Sequence, residues 1–172
     1  MEIVEFTPER EQYAWTFGGV EPVLRVKPGT LMRLWTEDAF SGRLRSASDR
    51  PSEKLDMREV NPQTGPFHVE GAEPGDTLAL HFVDLTPARD WAASATIPFF
   101  GGLAATDRTA MLHEPLPELT WIYQLDRERQ VVVFEALRGE FRVDLPVEPM
   151  LGTVGVAPAG REVRTSIVPD MF

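Results

Sequence analysis

Short strand-like segments punctuated by two proline–glycine turns constrain this chain more than any other feature. Leu78, Leu80 and Phe82 alternate with Ala79, His81 and Val83, and a period of two puts every second side chain on one face of a strand. Glu73-Pro74-Gly75-Asp76-Thr77 comes just before that run. The same grammar occurs earlier, where Lys27-Pro28-Gly29-Thr30 separates Pro22–Val26 from Leu31–Thr36. Proline presets φ at the second turn position and glycine accepts positive φ at the third, so both read as type II turns. Leu119–Leu125 and Gln130–Ala136 flank Asp126-Arg127-Glu128-Arg129 as a hairpin with a four-residue loop. Phe141–Leu145 alternates with Arg142 and Asp144 outward. No window carries a long amphipathic helix; at most a turn or two is expected around Ala88–Ser94.

These patterns predict an all-β chain: a jelly-roll-like antiparallel β-sandwich of two packed sheets with long loops at 41–65 and 86–118. Less than about a fifth of the residues should be helical, against about a third in an average globular protein. Glycine and proline make up 28 of 172 residues, about 16%, above the usual share of about 12%, as frequent turns require. No low-complexity stretch or linker interrupts the chain, so residues 1–172 read as a single domain.

Acidic residues outnumber basic ones, 27 to 17, for a net charge of −10. Repulsion from phosphates makes nucleic acid a poor partner. The absence of cysteine excludes disulfides, thiolate metal sites and cysteine nucleophiles. Met1–Phe6 has neither the basic start nor the apolar run of a signal peptide, and no apolar stretch reaches the length of a membrane span. A soluble cytoplasmic protein is expected, with no membrane partner.

Few residues point to chemistry by themselves. The three histidines, His68, His81 and His113, fall at no metal-ligand spacing. His81 reads as a strand residue and His113 as a loop surface residue. No G-x-S-x-G elbow occurs, and Lys27 and Lys54 are the only lysines. Hydrolysis would therefore rely on water activated by carboxylates or a metal. Asp38 follows the apolar strand Leu31–Trp35, and Glu70 is pinned by Gly71; both sit where a strand ends next to a loop or glycine. Their structural alternatives are a turn cap and a surface salt bridge. The four tryptophans are scattered as core packing would place them.

Asn61-Pro62-Gln63-Thr64-Gly65-Pro66, followed by Val69-Glu70-Gly71-Ala72-Glu73-Pro74-Gly75-Asp76, resembles the acetamidase/formamidase family. Thr36-Glu37-Asp38-Ala39 resembles that family's Thr-x-Asp-Ala segment, and Pro149–Pro158 its Gly-x-x-Gly-Val-Ala-Pro stretch. Ile97–Gly102 is a looser match. The resemblance implies a β-rich, oligomeric enzyme that hydrolyses a small linear amide, formamide or acetamide, to the carboxylate and ammonia. It implies Glu70 and Asp38 as catalytic carboxylates, with Asn61, Thr64, Gly65 and His68 lining the substrate. It further implies a divalent metal such as zinc, with Asp38 and Glu70 as candidate ligands and the other ligands outside this chain.

In the family, Gly-Val-Ala-Pro is followed by a Gly-Gly-Asn-x-Asp segment and a half rich in His, Asp and Glu. Here the sequence ends at Ser166–Phe172. The expectation is one part of a larger site, completed in a homo-oligomer or by a second chain supplying the C-terminal half. Ile167, Val168, Met171 and Phe172 are expected to be buried in that association. The alternatives are a truncated, inactive relative and a β-sandwich binding or assembly subunit.

Overall fold

A computed structural model describes residues 3–101 and 116–167. His113, Gly102, Val168, Met171 and Phe172, for which the sequence carries expectations, lie outside the described residues. The chain is all-β: the described residues form twelve strands, one four-residue helix (α1, Pro51–Lys54) and two 3-10 turns, Arg10–Gln12 and Met57–Glu59. None of the described helices is long and apolar enough to cross a membrane.

The chain packs as two compact units. The first unit comprises Met1–Gly42, Asp56–Asp84 and Leu151–Phe172. Its strands form four two-stranded ladders. β1 (Ile3–Phe6) pairs in parallel with β5 (Leu31–Leu34), Ile3 opposite Leu31. β4 (Leu24–Val26) pairs in parallel with β7 (Phe67–Val69), Leu24 opposite Phe67. β2 (Tyr13–Ala14) and β6 (Gln63–Thr64) are antiparallel, as are β3 (Thr16–Phe17) and β12 (Arg164–Thr165). The two parallel ladders were not visible in the alternation, because period two reports a strand's faces and says nothing of its partner's direction. Parallel partners need long crossovers, and the connections at 7–30 and 27–66 provide them.

The hydrophobic centre of this unit is small. Ala14, Phe17 and Val60 are buried, and Phe6 meets Phe67 edge-to-face with ring centroids 5.7 Å apart, a geometry that aligns the positive ring edge with the negative face. Gly18 and Gly19 both have positive φ, and a Cβ on Gly18 would collide with the Glu162 carbonyl oxygen. Only glycine lets the chain pass so close to that backbone.

Both proline–glycine turns form as expected. The Thr30 N–H donates to the Lys27 carbonyl at 3.1 Å with Gly29 at φ 80°, and the Asp76 N–H donates to the Glu73 carbonyl at 3.1 Å with Gly75 at φ 101°. After the first turn the chain enters β5. After the second, Leu78–Val83 forms no strand, contrary to the alternation, and His81 is exposed rather than held in a sheet. No neighbouring edge among the described residues pairs with this segment, and a strand exists only through its ladder.

The second unit comprises Arg43–Leu55 and Leu85–Met150. It is built on an antiparallel meander in the order β11-β10-β9-β8. β9 (Leu119–Asp126) and β10 (Val131–Glu135) form the expected hairpin, with Val131 opposite Asp126. Its four-residue loop is Arg127–Gln130, one position later than the sequence suggested. The Asp126 carboxylate accepts the Glu128 and Arg129 N–H groups, which holds Asp126 at the strand end. β11 (Arg142–Pro146) adds to β10, with Arg142 and Asp144 exposed.

The helical turn expected near Ala88–Ser94 is instead β8 (Trp91–Thr96), paired with β9 so that Ala93 lies opposite Ile122. Alanine is the best helix former, but propensity is a small term that pairing with β9 overrides. Tyr123 stacks on Phe134 at 6.1 Å across the sheet. Leu44 and Thr120 are buried, Thr120 Oγ1 donating 2.8 Å to the Asp49 carbonyl. The Arg45 backbone N–H, 2.8 Å from the Asp49 carboxylate, lowers that carboxyl below its ordinary value, with Ser46 and Lys54 adding to the effect against the cost of burial. The loop ahead of α1 is thereby anchored.

Candidate functional site

Three of the six residues singled out by the sequence, Asp38, Asn61 and Thr64, fall in the first unit at the junction of two segments, 35–42 and 59–64. Their backbones are laced together. The Asn61 N–H donates 2.7 Å to the Ala39 carbonyl, and Ser41 Oγ donates to the Glu59 carbonyl. Thr64 Oγ1 donates 2.8 Å to the Trp35 carbonyl. β6 pairs with β2 through Tyr13 opposite Thr64, which brings a third segment, 8–15, to the same place.

Asp38 is half-buried. Its Oδ1 accepts the Phe40 N–H at 2.8 Å and the Gly42 N–H at 3.2 Å, while its carbonyl accepts the Ser41 N–H at 2.9 Å. This is an Asx-type turn closing over positive-φ Ser41 and Gly42, so the carboxylate has a structural task whatever else it does. Oδ1 is thereby fixed in position, since a carboxylate bonded to two backbone N–H groups cannot rotate freely.

Asn61 adopts a left-handed backbone, φ 53°, which asparagine tolerates better than most residues. Its side-chain Nδ2 donates to Thr153 Oγ1 at 3.1 Å and also to the Ser166 carbonyl. Both amide hydrogens are therefore spent joining segments 153 and 166 to the junction. Ser166 is buried and donates 3.0 Å to the Trp15 carbonyl. The sequence placed Asn61 at the substrate; the structure also makes it a clamp.

Glu70 and His68 lie on the other side of the buried Gly65. Gly65 has φ 128°, a value that L side chains rarely adopt, and the chain then enters β7. His68 is half-buried opposite Arg25. The Glu70 N–H donates 2.8 Å to the Val26 carbonyl, extending the β4–β7 ladder by one residue, and Gly71 follows at φ 78°. The Glu70 backbone is held while its side chain is exposed. Asp38 and Glu70 thus belong to different ladders of the unit, one following β5 and the other following β7.

A cavity of roughly 310 Å³ opens where the three laced segments meet, lined by Pro8, Arg10, Tyr13, Trp15, Trp35, Glu37, Ser41 and Pro62. Tyr13 and Trp15 stand 6.4 Å apart between ring centroids, and Arg10 pairs with Glu59 at 2.6 Å. Trp15 and Trp35, read from the sequence as core, instead form cavity wall. Nothing local distinguishes the two roles, because an aromatic ring lines a pocket or fills a core according to what packs opposite it. Glu37 and Ser41 flank the Asp38 turn and Pro62 follows Asn61, so the candidate segments form one rim of this cavity.

The described residues include no cluster of three His, Asp or Glu side chains able to hold a metal ion. Asp38 and Glu70 therefore do not amount to a metal centre among the described residues.

An all-β chain with a fixed carboxylate turn beside an aromatic-lined cavity is the class of protein that these elements define. The profile of the Acetamidase/Formamidase family matches residues 9–166, and the chain belongs to that family. A crystal structure of an acetamidase from Yersinia enterocolitica is similar over 98% of this chain at 34% identity, with a TM-score of 0.76. An acetamidase from Bacillus halodurans shares the fold over 94% of the chain at 24% identity, TM-score 0.73. A predicted acetamidase/formamidase from Thermoanaerobacter tengcongensis does so over 95%, TM-score 0.67. The chain spans about half the length of each, covering 50%, 48% and 49% of them. No curated protein matches the chain.

Proposed function

We propose that this chain forms one part of an enzyme that hydrolyses small linear amides, formamide or acetamide, to the carboxylate and ammonia. The observation that carries this reading is the family match across residues 9–166, which includes the whole Asn61–Asp76 run. Glu70 is the general base and acid: its carboxylate takes a proton from water as the oxygen attacks the amide carbonyl, then returns it to the departing nitrogen. The Glu70 N–H bonded to the Val26 carbonyl supports that role by anchoring the backbone from which the carboxylate projects. Asp38 orients the site from its turn. Asn61 Oδ1, Thr64, Gly65 and His68 line the substrate, and the adjoining cavity has room for a molecule as small as acetamide.

The rest of the site comes from the half of the fold that this chain does not span. A divalent ion such as zinc would take most of its ligands from there. A second reading, a binding or assembly subunit without catalysis of its own, is favoured by the structural tasks already held by Asp38 and Asn61. One experiment separates the two. With the other half supplied, ammonia release from formamide or acetamide should appear, and Glu70→Gln should lower it at least about a hundredfold, the usual order for a general base. The 172-residue chain alone should be nearly inactive. A reconstituted Glu70→Gln protein running at the parent rate makes Glu70 structural, and no turnover from either protein favours the assembly subunit.

A further inference from the structure

The segment Leu78–Val83 has the sequence of a strand and none of its surroundings. Leu78, Leu80, Phe82 and Val83 are 44%, 56%, 53% and 69% exposed, and Ala79 and His81 are exposed between them. Apolar groups therefore meet water on both faces of the segment. Among the described residues no backbone hydrogen bond pairs it with another segment. It is nevertheless aimed: the Glu73–Asp76 turn is closed by its backbone bond and by the Asp76 carboxylate accepting the Glu73 N–H at 2.9 Å. Val154 and Val156, in the same unit, are also 41% and 66% exposed. A strand apolar on both faces is the signature of a buried sheet position, not of a solvated edge. The three solved structures named above run to about twice the length of this chain, so in them a comparable mass of polypeptide lies beyond the matched region.

We propose that Leu78–Val83 is a β-strand completed by pairing with polypeptide from the half of the acetamidase/formamidase fold that this chain does not span. Main-chain hydrogen bonds along the segment supply the affinity, and the alternating Leu78, Leu80 and Phe82 side chains set the register, as in other cases of strand addition. This rests on the reading that the other half completes the site, and it goes further by naming the surface that half seats on. A second copy of this chain, pairing the same segment with itself, is the competing occupant.

The test co-expresses this chain with a polypeptide carrying the unmatched half of the Yersinia enterocolitica acetamidase, followed by hydrogen exchange of the backbone amides and by mass measurement. In the chain alone, amides 78–83 should exchange at the rates of an unstructured peptide. In the complex they should slow by at least about a hundredfold, as ladder amides do. Leu80→Pro should abolish the complex and leave the unfolding of the chain alone unchanged, whereas Leu80→Thr, which keeps strand propensity, should retain it. The proposal is overturned if the complex forms with 78–83 still exchanging freely, if Leu80→Pro binds as well as the parent, or if no complex forms. It is also overturned if the chain alone runs as a dimer with 78–83 protected, since the occupant is then a second copy. A complex with 78–83 protected but no ammonia release leaves this inference standing and overturns the amide-hydrolysis reading instead.

Discussion

Two regions of the first unit begin alike and end differently. Lys27–Thr30 and Glu73–Asp76 are both proline–glycine type II turns, each closed by a 3.1 Å backbone hydrogen bond, and each is followed by an apolar segment of strand composition. The first leads into β5, which lies beside β1 and continues the ladder through the Trp35 N–H donating 3.1 Å to the Phe6 carbonyl. The second leads into Leu78–Val83, which pairs with nothing described. Turn chemistry and apolar composition are local properties and are alike in the two places. A strand is a relation between two segments, and among the described residues only one of these segments has the second member.

Proline should break this equality most visibly. In a parallel ladder every second residue bonds the same neighbour, so Arg33, two before Trp35, directs its N–H at β1. Arg33→Pro removes that bond and should cost on the order of 3 kcal/mol in urea unfolding. Leu80→Pro, in a segment with no ladder to lose, should change the stability of the chain alone by less than about 0.5 kcal/mol. Equal losses would mean that Leu78–Val83 is already paired. Glycine sharpens the other side of the comparison. Gly29 and Gly75 both have positive φ, and a Cβ at either meets nothing within 4 Å, so Gly29→Ala and Gly75→Ala should each cost about 1 kcal/mol through backbone strain alone. A large difference between the two would show that one turn carries tertiary contacts. The smallest expected effects concern the polar supports of the turns. Thr30 Oγ1 donates 2.7 Å to the Lys27 carbonyl, and the Asp76 carboxylate accepts the Glu73 N–H at 2.9 Å. Thr30→Ala and Asp76→Ala should each cost about 0.5–1 kcal/mol in the same assay, as typical exposed hydrogen bonds do.

The candidate site divides along similar lines. The Asp38 turn was open to reading because its alternatives, site carboxylate or turn cap, are both local, and the Phe40 and Gly42 N–H groups show the cap in place. The cavity was not. Arg10, Tyr13, Trp15 and Pro62 come from segments about fifty residues apart, brought together by the β2–β6 ladder, and no short-range pattern announces such a meeting. Asn61 sits between these cases: its place in the motif was plain, but its bonds to Thr153 and Ser166 join residues far along the chain.

By itself the sequence determined the all-β class, both type II turns, the β9–β10 hairpin and the family, because these rest on residues close together in the chain or on a contiguous motif. The tertiary structure alone decided that β1–β5 and β4–β7 run parallel, that Trp91–Thr96 is a strand, that Trp15 and Trp35 line a cavity, and that Leu78–Val83 stands without a ladder among the described residues. The physical reason is the same in each case. A residue's backbone preference and polarity act within a few bonds, whereas pairing, burial and pocket shape depend on which distant segment arrives at the other side.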